Sequence, residues 1–240
     1  MRRLDGKVAI VTGSSSGIGK AIAVTFGREG AQVVVAARRQ PLCERVAAQI
    51  RADGGMAAAV PTDIKEERQV DRLIATTVER FGRLDILVNN AGIVAVREHI
   101  ADARTELFDE VIDTNLRGTF FCCRAGFRQM QQQHGGTIIN MSSVAGLDAW
   151  AGTGLYSASK YAIMGLTKAL ADEGRAHGIK ATAICPGAVA DELVDASAAE
   201  ITRTGRISPF DVAEAAVYLA TLGPHAVVHQ LVLDRLGADW

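Results

Sequence analysis

The stretch Val8-Ala9-Ile10-Val11-Thr12-Gly13-Ser14-Ser15-Ser16-Gly17-Ile18-Gly19 decides the fold. Five residues that are mostly β-branched or small run straight into a glycine-rich turn, and an amphipathic stretch follows from Gly19 to Glu29. A short continuous apolar run reads as a strand covered on both faces. Glycine in the following turn lets backbone approach a bound group closely, and the helix N-terminus beyond it offers unpaired N–H groups and a positive dipole end. Together they describe a cradle for a pyrophosphate. The spacing is G-x-x-x-G-x-G rather than G-x-G-x-x-G, and glycines alone occur in turns for steric reasons, so position carries the argument.

Working outward, the same rhythm repeats. Strands are predicted at Val8–Thr12, Gln32–Ala36, Ala57–Pro61, Ile86–Asn89, Gly136–Asn140, Lys180–Cys185 and Gln230–Asp234. Helices are predicted at Gly19–Glu29, Pro41–Asp53, Glu66–Phe81 and Asp211–Thr221, with Gly30, Gly54 and Gly82 placed to end three of them. Alternating strands and helices imply a Rossmann-like, doubly wound parallel sheet in three α/β/α layers. With 240 residues, no Pro/Ser-rich linker and no repeat, one domain over 1–240 is expected. The segment 188–208 is small and polar with weak periodicity, either a substrate lid or a loose loop.

A net charge of −1 gives no general attraction to nucleic acid or to anionic lipid. No run of about 18 apolar residues suggests a membrane span, and the first residues do not read as a signal peptide. Cys43, Cys122, Cys123 and Cys185 form no C-x-x-C pair and read as buried hydrophobes in a reducing cytoplasm. No metal site is expected. At the end of the second strand, Ala37 stands where an acid would bond a ribose 2′-hydroxyl, and Arg38 and Arg39 follow. The arginines hold a 2′-phosphate, favouring NADP over NAD, or form a solvated pair at a helix entrance.

Five further elements make the reading specific: Asn89-Asn90-Ala91-Gly92 after a strand, Asn115 in a later helix, Ser142-Ser143, Tyr156-Ser157-Ala158-Ser159-Lys160, and Pro186-Gly187. In this order and at these separations, with the glycine-rich turn, the chain resembles the short-chain dehydrogenase/reductase family over roughly residues 5 to 236. The resemblance implies an oxidoreductase moving hydride between NADP(H) and an alcohol or carbonyl carbon. It implies a catalytic tetrad of Asn115, Ser143, Tyr156 and Lys160. Four residues apart on a helix, Tyr156 and Lys160 share a face. The ammonium is expected to lower the phenol's pKa, so that Tyr156 serves as general acid or base, while Lys160 also bonds the nicotinamide ribose. Ser143 would orient the substrate oxygen, and Asn115 would hold a water linking Lys160 to solvent. Singly, each also reads as a turn, cap or packing residue.

Cofactor contacts carried by the same resemblance are Gly13, Ser15, Ser16, Gly17, Ile18 and Gly19 in the turn. They continue with Arg38 and Arg39, with Asp63 at the adenine and Ile64 beside it, and with Asn89, Ala91 and Gly92 near the adenine ribose and central strand. Pro186, Gly187 and Val189 would shape the nicotinamide end. Two departures stand out. The family's usual threonine after Pro-Gly-x-V-x is Asp191 here, which either accepts from the nicotinamide carboxamide or points to solvent. The ending His225–Trp240 lacks the common Asp-Gly-Gly and is similar to NADP-dependent members such as serine (3-hydroxy acid) dehydrogenases and clavulanate-type aldehyde reductases.

A small or medium neutral carbonyl or alcohol is the expected substrate, since the lid carries four acids and two arginines. Trp150 reads as a substrate wall or as a core or interface residue. Competing readings are a non-catalytic nucleotide sensor or scaffold, a 3-oxoacyl-acyl-carrier-protein reductase, and an epimerase or dehydratase. The resemblance also implies a homotetramer formed through helices near Thr105–Gln132 and Tyr156–Arg175, whose apolar faces would look the same if they were core.

Overall fold

The computed structural model describes residues 2–95 and 99–237. Ala238, Asp239 and Trp240 of the C-terminal run read above lie outside them. In chain order come β1 (Val8–Thr12), α1 (Gly17–Arg28), β2 (Gln32–Ala37), α2 (Gln40–Ala52), β3 (Met56–Pro61), α3 (Glu67–Phe81) and β4 (Ile86–Asn89). The second half has α4 (Thr105–Val111), α5 (Thr119–Gln132), β5 (Gly136–Met141), α6 (Gly154–Gly174) and β6 (Ile179–Pro186). It closes with α7 (Ala198–Thr202), α8 (Pro209–Thr221) and β7 (Gln230–Leu233).

All strands pair in parallel, in the order β3-β2-β1-β4-β5-β6-β7. The reason each strand reads as unbroken apolar residues is visible in the packing. Ala9, Val11, Val33 and Val35 face one hydrophobic layer with α1 and α8, while Ile10, Val34 and Ala36 face the other with α3 and α5. Successive side chains of a strand point to opposite faces, and both faces are covered by helices. Gly30, Gly54 and Gly82 have φ of +93°, +82° and +82°, the left-handed conformation that stops a helix.

The long helix read at Thr105–Gln132 is divided. Between α4 and α5, residues Ile112–Gly118 form a π-helical turn, which places the buried Asn115 on its inner side. One added residue per turn leaves no trace in hydrophobic periodicity, so the sequence reads as one helix. From the outer position of β3 the chain returns to β4 beside β1 and then builds the other way. That reversal opens a crevice over the carboxyl ends of β1 and β4, where the glycine-rich turn and Asn90–Gly92 meet.

Candidate active site

Two joined compartments occupy this crevice. The larger, of about 700 Å³, is lined by Gly13, Ser16, Gly17 and Ile18 on one side and by Ser143, Tyr156 and Lys160 on the other. Pro186, Gly187 and Val189 close its far end, together with Asp191, Trp150 and Arg206. The smaller, of about 170 Å³, is lined by Ser15, Arg38, Arg39, Asp63 and Ile64. Gly13, Ser16, Ala91 and Gly92 border both.

The glycine-rich turn is held by its neighbours. Thr12 Oγ1 accepts from the backbone N–H of Asn90 at 3.0 Å and of Ala91 at 3.1 Å, and Asn90 Nδ2 donates to the Thr12 carbonyl at 3.0 Å. A β-carbon on Gly13 would lie 2.7 Å from the Ala91 Cα, so only glycine permits this approach. Among the described residues the N-cap Ser16 makes no side-chain cap bond, leaving the first turn of α1 uncapped beside the cleft. Arg39 donates to the hydroxyls of Ser15 and Ser16 at 3.2 and 3.3 Å, drawing a guanidinium to the turn. First-turn amides, hydroxyls and guanidinium suit phosphate oxygens, so this donor set fits a nicotinamide dinucleotide.

At the other end, α6 sets Tyr156 and Lys160 on one face. Lys160, 6% exposed, donates from Nζ to the Met141 carbonyl at 2.8 Å and stands 5.6 Å from the centroid of the Tyr156 ring. Burial lowers its pKa to about 8, with the Cys185 side chain pulling weakly the other way. The tyrosine departs from expectation. Burial raises its pKa, the Ser143 hydroxyl counters that, and the charge of Asp191 adds to the rise. Here the cost of burying a phenolate exceeds any help from the ammonium, which faces Met141 rather than the phenol oxygen. Ser143 accepts from the Ala145 N–H at 3.1 Å and donates to the Pro186 carbonyl at 3.4 Å, which holds it at the strand end.

Three expected contacts fall outside the lining. Asn89 is 3% exposed, donates to Asn140 Oδ1 at 2.8 Å and packs beside Cys123 in the core. Alternation along β4 turns Asn89 inward, and Asn90 reaches the cleft instead. Gly19 lies beneath the turn, where it allows α1 to pack against Gly13 and Asn90. Asn115 borders neither compartment. Its Oδ1 accepts from the Ile93 N–H at 2.8 Å, and its Nδ2 donates to the Ile93 carbonyl at 2.9 Å and to Ser159 Oγ at 3.1 Å. It therefore ties the loop after β4 to α6, one residue from Lys160. Asn90, Ser159 and the Met141 carbonyl also belong to the site, beyond the residues that the sequence motifs point to. The first two sit inside quoted motifs, but a carbonyl acceptor has no sequence signal.

The segment 188–208 has structure of its own. Val189 bridges Ile207 across its base, α7 carries a Ser197/Glu200 capping box, and Lys20–Asp195 and Arg206–Glu192 pairs hold it to the body and to itself. Among the described residues no helix is long and apolar enough to cross a membrane, and no cluster of metal-ligating side chains occurs.

A doubly wound parallel sheet with this turn at its reversal point defines a dinucleotide-binding α/β protein. A family model described as short chain dehydrogenase matches residues 7–201. A 3beta-hydroxysteroid dehydrogenase of Mediterraneibacter gnavus is 40% identical over 209 residues, 87% of this chain and 75% of that protein. An uncharacterized oxidoreductase of Bacillus subtilis is 41% identical over 205 residues, 85% of this chain and 79% of that protein. A metagenomic short-chain oxidoreductase, solved in complex with NADP, superposes with a TM-score of 0.85 at 31% identity, covering 98% of this chain and 99% of that one. The chain belongs to the short-chain dehydrogenase/reductase family and is an NAD(P)-dependent dehydrogenase/reductase.

Proposed function

We propose that the protein is an NADP(H)-dependent carbonyl reductase or alcohol dehydrogenase acting on a small or medium neutral substrate with an apolar body. The observation that carries this reading is the single cleft shared by the glycine-rich turn, Ser143, Tyr156 and Lys160. When bound, the nicotinamide supplies the hydride donor or acceptor. Tyr156 gives a proton to the carbonyl oxygen in reduction and takes the hydroxyl proton in oxidation. Ser143, anchored at the strand end, orients that oxygen and shares its developing charge. Lys160 supplies positive charge near the phenol and a donor toward the nicotinamide ribose, and Asn115 positions the loop and helix that carry it.

Arg38 and Arg39 flank the smaller compartment and favour a 2′-phosphate, and no acid stands at Ala37. Asp63 and Ile64 form the adenine wall. Val94, Val144 and Trp150 give the substrate end apolar walls, which suits a substrate body without charge. The segment 188–208 serves as the lid of one catalytic domain. Exposed Phe108, Phe120 and Tyr161 on α4, α5 and α6 supply apolar surface for a homotetramer. Four buried free thiols fit a reducing cytoplasm.

The test is NADPH consumption at 340 nm against a ketone panel, with Tyr156→Phe as the control. Loss of the general acid should cost about 10²- to 10⁴-fold in kcat with NADPH binding retained. Equal turnover by both proteins removes Tyr156 from the mechanism. The sensor reading instead requires NADPH binding without turnover of any ketone.

A further inference from the structure

Of the four acids in the segment 188–208, three are engaged. Glu192 pairs with Arg206, Asp195 with Lys20, and Glu200 caps its own helix through Ser197. Asp191 differs. It lines the large cleft, where burial and then its neighbour Glu192 raise its pKa, and among the described residues no ammonium or guanidinium nitrogen forms an ion pair with it. Its Cβ and Oδ2 lie 3.3 and 3.4 Å from where a β-carbon on Gly17 would stand, and its charge is felt at Tyr156 across the cleft. A net negative charge therefore sits between the turn and the proton-transfer residue. Arg206, also on the cleft wall, bonds first to Glu192 and feels Asp191 only through its charge, so one guanidinium faces two carboxylates and a negative charge is left over.

We propose that Asp191 is a specificity-determining residue that biases the cleft toward the oxidised, cationic nicotinamide over the reduced, neutral one. This rests on the reading that the nicotinamide lies at the Tyr156 end. The physical reason is a difference in charge. Oxidised and reduced dinucleotides carry the same phosphates, so any repulsion between Asp191 and phosphate at Gly17 weakens both alike. Only the ring changes charge, from positive to neutral, on taking up hydride. A nearby carboxylate stabilises the positive form alone. Tighter binding of the oxidised form lowers the reduction potential of the bound couple and favours carbonyl reduction on the enzyme.

The experiment is titration of wild type, Asp191→Asn and Asp191→Thr with NADP+ and NADPH at pH 8, read by quenching of intrinsic fluorescence, with thermal melts to verify folding. For a charge pair open to solvent, neutralising Asp191 should raise the ratio Kd(NADP+)/Kd(NADPH) about fivefold. That factor corresponds to about 21 mV in the two-electron potential of the bound couple. Both variants should shift the ratio alike, because both lose the charge. If the two dissociation constants move together, or neither moves, the inference is wrong and Asp191 acts on phosphate or on nothing. Failure of wild type to bind either form would instead overturn the dinucleotide reading beneath it.

Discussion

Gly19 lines neither compartment, yet its replacement by alanine should damage the site more than most cleft substitutions. An added β-carbon would lie 2.5 Å from Asn90 Nδ2, 2.5 Å from the Gly13 carbonyl oxygen and 2.9 Å from the Gly13 carbonyl carbon. Asn90 can swing away only by giving up its bond to Thr12. Gly13 is backbone, in a turn whose preceding residue Thr12 is bonded to Asn90 and Ala91, so it yields less readily than a side chain. The helix must therefore lift from the turn. Forcing a methyl into such packing costs about 1–3 kcal/mol, which for a chain of this size lowers Tm by about 2–12 °C. The lifted helix also misaligns the N–H groups meant for phosphate, so the Kd for NADPH should rise at least about tenfold. Gly165→Ala is the matched control: it lies in α6 and its β-carbon would meet nothing within 4 Å. Removing backbone freedom there should stabilise the protein by about 0.5–1 kcal/mol and leave binding alone. Melting curves and NADPH titrations of both variants decide the matter. A Gly19→Ala protein that melts and binds like wild type would refute the packing argument.

Arg39→Ala should raise the KM for NADPH about tenfold or more while moving that for NADH less than about twofold, the loss of one or two charge-assisted bonds; equal shifts would mean that Arg39 does not meet a 2′-phosphate. Asn115→Ala removes the bonds to Ile93 and Ser159 and should lower kcat without abolishing it, with hydrogen exchange of the Ile93 amide rising in parallel; unchanged exchange would contradict its positioning role. Stability should fall steeply as pH rises above 9. Burial pushes the thiol of Cys185 up to about 11 and that of Cys123 up to about 12 from an ordinary 9.0, and raises Cys122 and Cys43 as well. The folded chain then keeps thiol protons that the unfolded chain loses, so stability present below pH 9 is lost through the folded values. Lys160 opposes this between about 8 and 10.5, where the unfolded state binds its proton better, and burial of Lys180 acts in the same sense, but these two lysines stand against four thiols and the buried phenol of Tyr156. Chemical unfolding at pH 8, 9 and 10 that showed rising stability would reverse the sign of the argument.

The strand–helix order is legible in the chain, because covering a parallel sheet on both faces demands unbroken apolar strands. The strands at Val8–Thr12 and Ile86–Asn89 were read to the residue, and the glycines that stop helices were read from the need for positive φ. The cleft's two ends were legible for the same kind of reason, since Tyr156 and Lys160 share a helix face through their spacing alone. Other features depend on contacts between elements far apart in the chain. Asn89 and Asn90 are alike in composition, and the pleat of β4 sends one to Asn140 and the other to Thr12. The direction of the Tyr156 shift reflects how much of the phenol is buried and where the Lys160 ammonium points, and neither quantity is local. Asp191 could be read as facing cofactor or solvent until the bridge from Val189 to Ile207 folded its segment over Gly17. Local propensity and periodicity act over a few residues and survive in the chain; electrostatics and packing act through space, and exist only once the chain has closed on itself.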